Sequence, residues 1–181
     1  MSDLVSFSIL VYNSGHRGVD AEMRVEFDVK IMAADLYDYM LAHIYSGFSG
    51  LFGSIVGALF IVMYFNMGQF IYLIAGAVIL LYIPCSLFLR AHKQVVLNEV
   101  FKKPLHYVLT DEGVTVSQDG NELFQEWDVV YRAKSTNRSL LIYTSKVNAW
   151  IFPKKALGKD KDAVIQLISA HVAPEKIKIK Q

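Results

Sequence analysis

The feature that most limits the fold is a long interval without charge. From Tyr39 to Leu89 the sequence has no Asp, Glu, Lys or Arg, although charged residues make up 19% of the whole chain. The outer faces of helices in a soluble core of this size would need charged positions. Because roughly 20 apolar residues cross the hydrocarbon of a bilayer, the interval has room for two crossings. The sequence therefore predicts a pair of membrane-spanning helices.

The two crossings are predicted at about Gly47 to Phe65 and Phe70 to Leu89, so that residues 47–89 form a transmembrane hairpin. Arg90 and Lys93 follow the second apolar run, whereas the turn between the runs carries no charge. By the positive-inside rule, the hairpin enters and leaves from the cytoplasmic side, and both termini are cytosolic. Neither crossing has a charged side chain on which an ion-coupled transporter would depend.

Small residues recur along the first crossing at Gly50, Gly53 and Gly57, and the last two form a GxxxG pair. Small residues let two helix backbones approach closely in lipid. We expect this face to pack against the second helix of the same chain or, alternatively, against a second copy in a homodimer.

Three segments surround the hairpin. Residues 1–23 are an N-terminal extension of uncertain role. Residues 24–46 hold an alternating strand, "RVEFDVKI", and a short amphipathic helix suited to the membrane interface, with its acidic residues on the polar side. Residues 90–104 are predicted to continue the second crossing as a juxtamembrane helix, which Pro104 stops.

The rest of the chain changes to short β-runs separated by Gly, Asn, Asp and Ser turns, among them "ELFQEWDVVYRAK" and the last run, "AWIF", which Pro153 ends. An amphipathic helix, "DAVIQLISAHV", follows. Residues 105–173 are thus predicted to be a small antiparallel β-roll closed by a C-terminal helix, and residues 174–181 a basic tail. The overall prediction is a membrane α-helical hairpin plus an α+β module.

Several stretches resemble the YcxB-like family of bacterial membrane proteins. The most specific are the "TDEGV" turn (Thr110 to Val114), "EWDVVYRA" (Glu126 to Ala133) and "AWIFPKKAL" (Ala149 to Leu157), and the resemblance covers about Arg24 to Val172. It implies a cytosolic module similar to a pleckstrin-homology (PH) domain, in which the early strand joins the sheet formed after the hairpin. It implies no catalytic residues.

Motifs for chemistry are not evident in the sequence. The five histidines are scattered without metal-ligand spacing, and there is no P-loop, GxSxG or dinucleotide fingerprint. The single cysteine, Cys85, cannot form an intrachain disulfide. We therefore expect no cofactor, no metal, no enzyme activity and no nucleic-acid partner.

The candidate contact residues are basic. Residues 1–38 carry three Lys or Arg against seven acids, a net −4, whereas residues 90–181 carry fifteen against ten, a net +5. A basic half beside a membrane segment favours anionic lipid. The candidates for lipid or partner contact are Lys102, Lys103, Lys146, Lys154 and Lys155, with the alternative that they are only solvated surface lysines.

The leading hypothesis is a non-enzymatic bacterial inner-membrane protein whose PH-like module binds lipid headgroups or a protein partner. The alternative is a membrane immunity protein that protects its own cell from a toxin.

Overall fold

The computed structural model describes residues 23–179, which form two compact units. A helical unit comprises residues 32–99. The described residues that come before and after it in the sequence, 23–31 and 100–179, form an α+β unit, which we call the module. The predicted α+β class of the module is confirmed. The predicted extension, residues 1–23, lies outside the described residues apart from Met23.

The helical unit contains three helices: α1 (Ala33–Ile44), α2 (Phe48–Met67) and α3 (Phe70–Leu97). Helix α2 ends at Gly68, whose left-handed φ of 72° favours glycine. Helices α2 and α3 pack against each other, and α1 packs against α3. By length and composition, α2 and α3 could each cross a membrane.

Helix α3 ends earlier than predicted, so the 90–104 segment is not a continuous helix. The backbone is extended at Asn98, and Glu99–Phe101 form only a single 3-10 turn. The amide of Gln118 donates hydrogen bonds to the carbonyls of Val100 (2.9 Å) and Lys103 (3.2 Å). These bonds satisfy carbonyl groups beyond the helix end, which stabilises the non-helical path.

The first sheet of the module has four antiparallel strands in the order β1-β2-β3-β4. They are β1 (Val25–Val29), β2 (Leu105–Leu109), β3 (Gly113–Gln118) and β4 (Asn121–Glu126). In β1 the residues Val25, Phe27 and Val29 are buried, as the alternating pattern predicts. The strand pairs with β2, which confirms that it joins the sheet formed after the helices.

The second sheet has the order β7-β6-β5-β8. Its strands are β5 (Arg132–Ser135), β6 (Ser139–Tyr143), β7 (Ala149–Pro153) and β8 (Ile177–Lys178). A short helix α4 (Lys154–Leu157) and then α5 (Lys161–His171) follow β7. The prediction that "AWIF" is the last strand was wrong, because part of the basic tail returns as β8 and pairs in parallel with β5.

The predicted single run "ELFQEWDVVYRAK" is broken into two strands that belong to different sheets. A 3-10 turn at Trp127–Val129 separates β4 from β5. The Trp127 ring is buried, and its Nε1–H donates a 2.9 Å hydrogen bond to the carbonyl of Thr110. Burial of this ring holds the chain in the turn between the two sheets.

Aromatic residues join the two sheets inside the module. Phe152 of β7 lies edge-on to both Phe27 of β1 and Tyr107 of β2, at centroid distances of 5.1 and 4.9 Å. Helix α5 buries Val164, Leu167 and Ile168, as its predicted amphipathic pattern requires. The module therefore has a core of its own.

One acidic residue of α1 differs from its predicted position. Asp35 was expected on the polar face, but its side chain is buried. Its carboxylate accepts a 3.1 Å hydrogen bond from the backbone N–H of Met32, one of the free donors at the start of the helix. The bond explains how α1 tolerates a carboxylate there.

Candidate functional site

The five predicted contact lysines belong to different elements of the module. Lys102 and Lys103 precede β2 of the first sheet, whereas the other three belong to the region around β7 of the second. Lys146 precedes β7 and Lys154 follows it, so the length of a five-residue strand, about 17 Å, separates them.

Lys103 and Lys154 make defined contacts within the module. Lys103 forms a salt bridge with Asp119, with its Nζ 2.9 Å from each carboxylate oxygen. The Nζ of Lys154 donates to the carbonyl of Thr136, and its backbone N–H donates to the carbonyl of Arg138 at 2.8 Å.

The other three lysines, Lys102, Lys146 and Lys155, are exposed. Exposed lysines at separate places on a surface can contribute to a general attraction to an anionic surface, at roughly 1 kcal/mol each. They do not define a pocket.

A second basic group, on β5 and β8, comprises Arg132, Lys134 and Lys178. The sequence indicated Lys178 only as part of the basic tail and did not group it with Arg132 and Lys134. Arg132 and Lys134 alternate along β5, and Lys178 is the register partner of Lys134 across the parallel β5–β8 pair. The alternation of basic residues in the sequence is a signal for one face of a strand. No local sequence pattern indicates that the tail pairs with β5. The approach of Lys178 to Arg132 and Lys134 was therefore not predicted.

Aromatic rings surround the arginine of this group. Its guanidinium carbon lies 4.2 Å from the centroid of the Tyr143 ring, the residue opposite it in β6, and 6.0 Å from that of Tyr131. Burial raises the pKa of Tyr143, and the positive charge of Arg132 partly offsets this. The pKa of Lys134 is lowered, first by partial burial and then by the charges of Arg132 and Lys178.

A third cluster lies where Trp127 meets the end of α5. The ring of His171 stacks on that of Trp127, with centroids 5.6 Å apart. Asp111 accepts one bond from the backbone N–H of Met23 (2.9 Å) and lies 3.1 Å from Nε2 of His171 through its other oxygen. The cluster fastens the "TDEG" turn to α5 and to the start of β1.

In the helical unit, two of the three predicted packing glycines face α3. A Cβ added at Gly57 would lie 2.7 Å from Cγ of Leu80, and one at Gly53 would lie 3.2 Å from Cδ1 of Ile83. Gly50 instead lies against Ile44, at the end of α1. These contacts are those of the first alternative, in which the small-residue face packs within the chain.

The helical unit also has an open groove of about 770 Å³ beside the end of α3. It is lined by Met40, Arg90, Lys93, Gln94, Leu97, Asn98 and Glu99. Opposite charges line the groove together, because Glu99 shares it with Arg90 and Lys93.

No metal centre is evident in the part of the chain that the structure describes. Within residues 23–179, no three His, Cys, Asp or Glu side chains are grouped so that they could hold an ion. Cys85 is exposed on α3.

Comparison with known proteins gives one match. The family model described as YcxB-like protein matches residues 109–168, from the end of β2 into α5. Neither the curated proteins nor the solved structures that were compared contain a match to the chain. The matched segment includes the "TDEGV", "EWDVVYRA" and "AWIFPKKAL" motifs. The predicted resemblance to the YcxB-like family is thereby confirmed over these residues of the module.

Proposed function

We propose that this chain is a non-enzymatic integral membrane protein whose α2–α3 hairpin spans the bilayer and whose module binds anionic lipid headgroups or a protein partner. The observation that carries the proposal is the connection of the helical unit to the module. Val29, at the end of β1, pairs with Leu105, at the start of β2. The chain therefore leaves the sheet and returns to it at neighbouring positions.

This connection restricts what can lie between the two strands. A single membrane crossing would place Val29 and Leu105 on opposite sides of the bilayer, which their pairing forbids. Two crossings return the chain to its starting side. Of the three helices in between, α2 and α3 have the length and composition to span a membrane, and α1, with 12 residues, is too short.

The surface of α2 and α3 also supports a bilayer location. Large apolar side chains are exposed along both helices, whereas small residues lie between them. The exposed set consists of Phe48, Leu51, Phe52, Ile55, Leu59, Val62, Phe65, Met67, Phe70, Ile71, Ile74, Val78, Leu81, Tyr82, Phe88, Leu89, Val96 and Leu97. An apolar surface of this extent in water would favour aggregation, and lipid tails are its natural solvent.

A PH-like fold for the module is supported by its chain order. A four-stranded antiparallel sheet is followed by three consecutive antiparallel strands of a second sheet and then by α5. Strand β8 is an addition to that arrangement. The proposed PH-like character favours ligand binding over chemistry only by analogy of fold, so the ligand has to follow from the residues themselves.

The proposed location is the bacterial inner membrane, with the module in the cytosol. Arg90 and Lys93 follow the apolar part of α3, and the α2–α3 turn is uncharged. Positive residues stay on the cytoplasmic side. The alternative role in immunity to a toxin has no specific contact in its favour and stays a prediction.

The topology can be tested with single cysteines in a Cys85→Ala background. Gln69→Cys places a thiol in the exposed turn between α2 and α3, and Lys146→Cys places one in an exposed turn of the module. In intact spheroplasts, a membrane-impermeant maleimide should label the first variant only, and lysis should make the second reactive. Labelling of Lys146→Cys before lysis, or extraction of the protein by alkaline carbonate, would contradict the proposal.

A further inference from the structure

We propose that Arg132, Lys134 and Lys178 form a binding site for a phosphate group on the β5–β8 side of the second sheet. This inference rests on the proposed function, because it assigns the anionic ligand of the module to a specific place. It differs from the leading candidates of the sequence analysis, which were Lys102, Lys103, Lys146, Lys154 and Lys155.

The sheet register brings the three cations together. Arg132 and Lys134 are two residues apart in β5, so their side chains leave the same face of the strand. Lys178 of β8 is the partner of Lys134, and directly paired residues of neighbouring strands project to the same side. The site therefore exists only when the C-terminal strand is in place.

Two contacts hold that strand in position. The backbone N–H of Lys176 donates to the carbonyl of Ala173 at 2.9 Å, in the turn that precedes β8. The Nζ of Lys176 donates to the carbonyl of Val130 at 3.1 Å, just before β5. Lys176 thus has a structural role, whereas Lys178, two residues later, projects its charge beside Lys134.

The arginine is oriented before any ligand arrives. Its guanidinium lies over the Tyr143 ring at 4.2 Å, an arrangement that cation–π attraction stabilises. The described part of the chain contains no carboxylate that forms an ion pair with Arg132 or Lys178. The donors of the guanidinium are therefore not used up by acidic groups of the module.

The electrostatics of the group favour an anion. The pKa of Lys134 is lowered by burial and by the neighbouring positive charges of Arg132 and Lys178. Like charges held close together repel, and a bound anion relieves this repulsion. A planar guanidinium can bind phosphate oxygens in a bidentate manner, and two ammonium groups match the remaining negative charge.

The test uses the full-length protein in an uncharged detergent. Calorimetric titration with glycerol 3-phosphate measures binding of the phosphate itself. A parallel titration with phosphatidylglycerol in mixed micelles, against phosphatidylcholine, measures binding of the lipid. Because no bilayer is needed, the result does not depend on the topology of the hairpin.

We expect Arg132→Gln and Lys178→Gln each to weaken glycerol 3-phosphate binding about tenfold, the effect of one lost charged hydrogen bond. Arg132→Lys should also weaken it, because the bidentate geometry is lost. The matched controls Lys146→Gln and Lys155→Gln remove the same charge from exposed lysines elsewhere and should change the affinity less than twofold. Lys178 is exposed in β8, so its replacement should not unfold the module. Lys178→Gln therefore tests the site even if Arg132→Gln unfolds the module.

Each outcome is decisive. Binding of both glycerol 3-phosphate and phosphatidylglycerol, with the binding of glycerol 3-phosphate sensitive to Arg132 and Lys178 but not to Lys146 and Lys155, supports the site and a lipid source for its phosphate. Binding of glycerol 3-phosphate without phosphatidylglycerol supports the site but removes the lipid headgroup from the proposed function. No binding of either ligand, or equal weakening by the control variants, overturns the inference even if the cysteine labelling confirms the membrane hairpin.

Discussion

The Phe152 ring in β7 lies edge-on against the Tyr107 ring in β2, with centroids 4.9 Å apart and an angle of 75° between their planes. The contact joins the two sheets of the module, and both residues are buried. Edge-to-face aromatic pairs add to the stability that burial alone provides.

Replacement of Phe152 should therefore destabilise the module strongly. We expect Phe152→Ala to lower its free energy of unfolding by about 3–5 kcal/mol, through lost burial and a cavity. Both tryptophans of the chain, Trp127 and Trp150, lie in the module, so urea unfolding can be followed by their fluorescence. The control Leu123→Ala, at an exposed position of β4, should change the value by less than about 0.5 kcal/mol. Similar effects of the two variants would refute the role of Phe152.

Stability of the module should fall at alkaline pH. Burial raises the pKa of Tyr107, so the folded state holds this proton more tightly than the unfolded chain, in which tyrosine titrates near pH 10. The associated stability is fully present below about pH 10 and declines as the pH rises further, by up to about 1.4 kcal/mol per pH unit for one proton.

The variant Tyr107→Phe should flatten this decline. Part of the slope should persist, because burial also raises the pKa of Tyr143. The measurement is urea unfolding between about pH 9 and 11, with Tyr131→Phe as the control at an exposed ring. A slope that Tyr107→Phe leaves unchanged would show that this side chain does not carry the effect.

Because α2 and α3 pack closely, we expect a larger side chain at the position of Gly57 to destabilise the helical unit. A Cβ there would meet Leu80 at 2.7 Å and the backbone carbonyl of Gly76 at 3.3 Å. We expect Gly57→Leu to lower the thermal stability of the helical unit in detergent, by about 1–3 kcal/mol, as overpacking does. The loss of stability can be measured by far-ultraviolet circular dichroism during heating. Ala58→Leu adds a similar side chain on the exposed face of α2 and should have little effect.

The neighbouring lysines Lys154 and Lys155 should behave differently. The Nζ of Lys154 donates to the carbonyl of Thr136, whereas Lys155 is exposed. Lys154→Met should therefore lower the free energy of unfolding by about 1 kcal/mol, and Lys155→Met should not. Both remove one positive charge, so their comparison in urea unfolding separates the hydrogen bond from the charge. Equal destabilisation would assign the effect to the charge instead.

Local patterns in the sequence predicted much of this fold. The alternation of β1, the apolar runs of α2 and α3 and the amphipathic face of α5 each depend on neighbours within a few residues. The predicted end of α3 was too late in the sequence. The non-helical chain after Leu97 is stabilised by a hydrogen bond from Gln118, which is distant in sequence. The basic site on β5 was missed for the same reason, since it needs the non-local pairing of β8.

The placement of β1 before the helices and of its partner after them has a consequence for biosynthesis. The ribosome releases β1 first, and β2 follows only after residues 30–104 have been made. Until then β1 has exposed apolar side chains at Val25, Phe27 and Val29 and an unpaired strand edge. Such non-local pairing forms slowly, and the waiting strand is open to aggregation or to chaperones. The time needed to translate the helices thus sets the earliest time at which the first sheet can form.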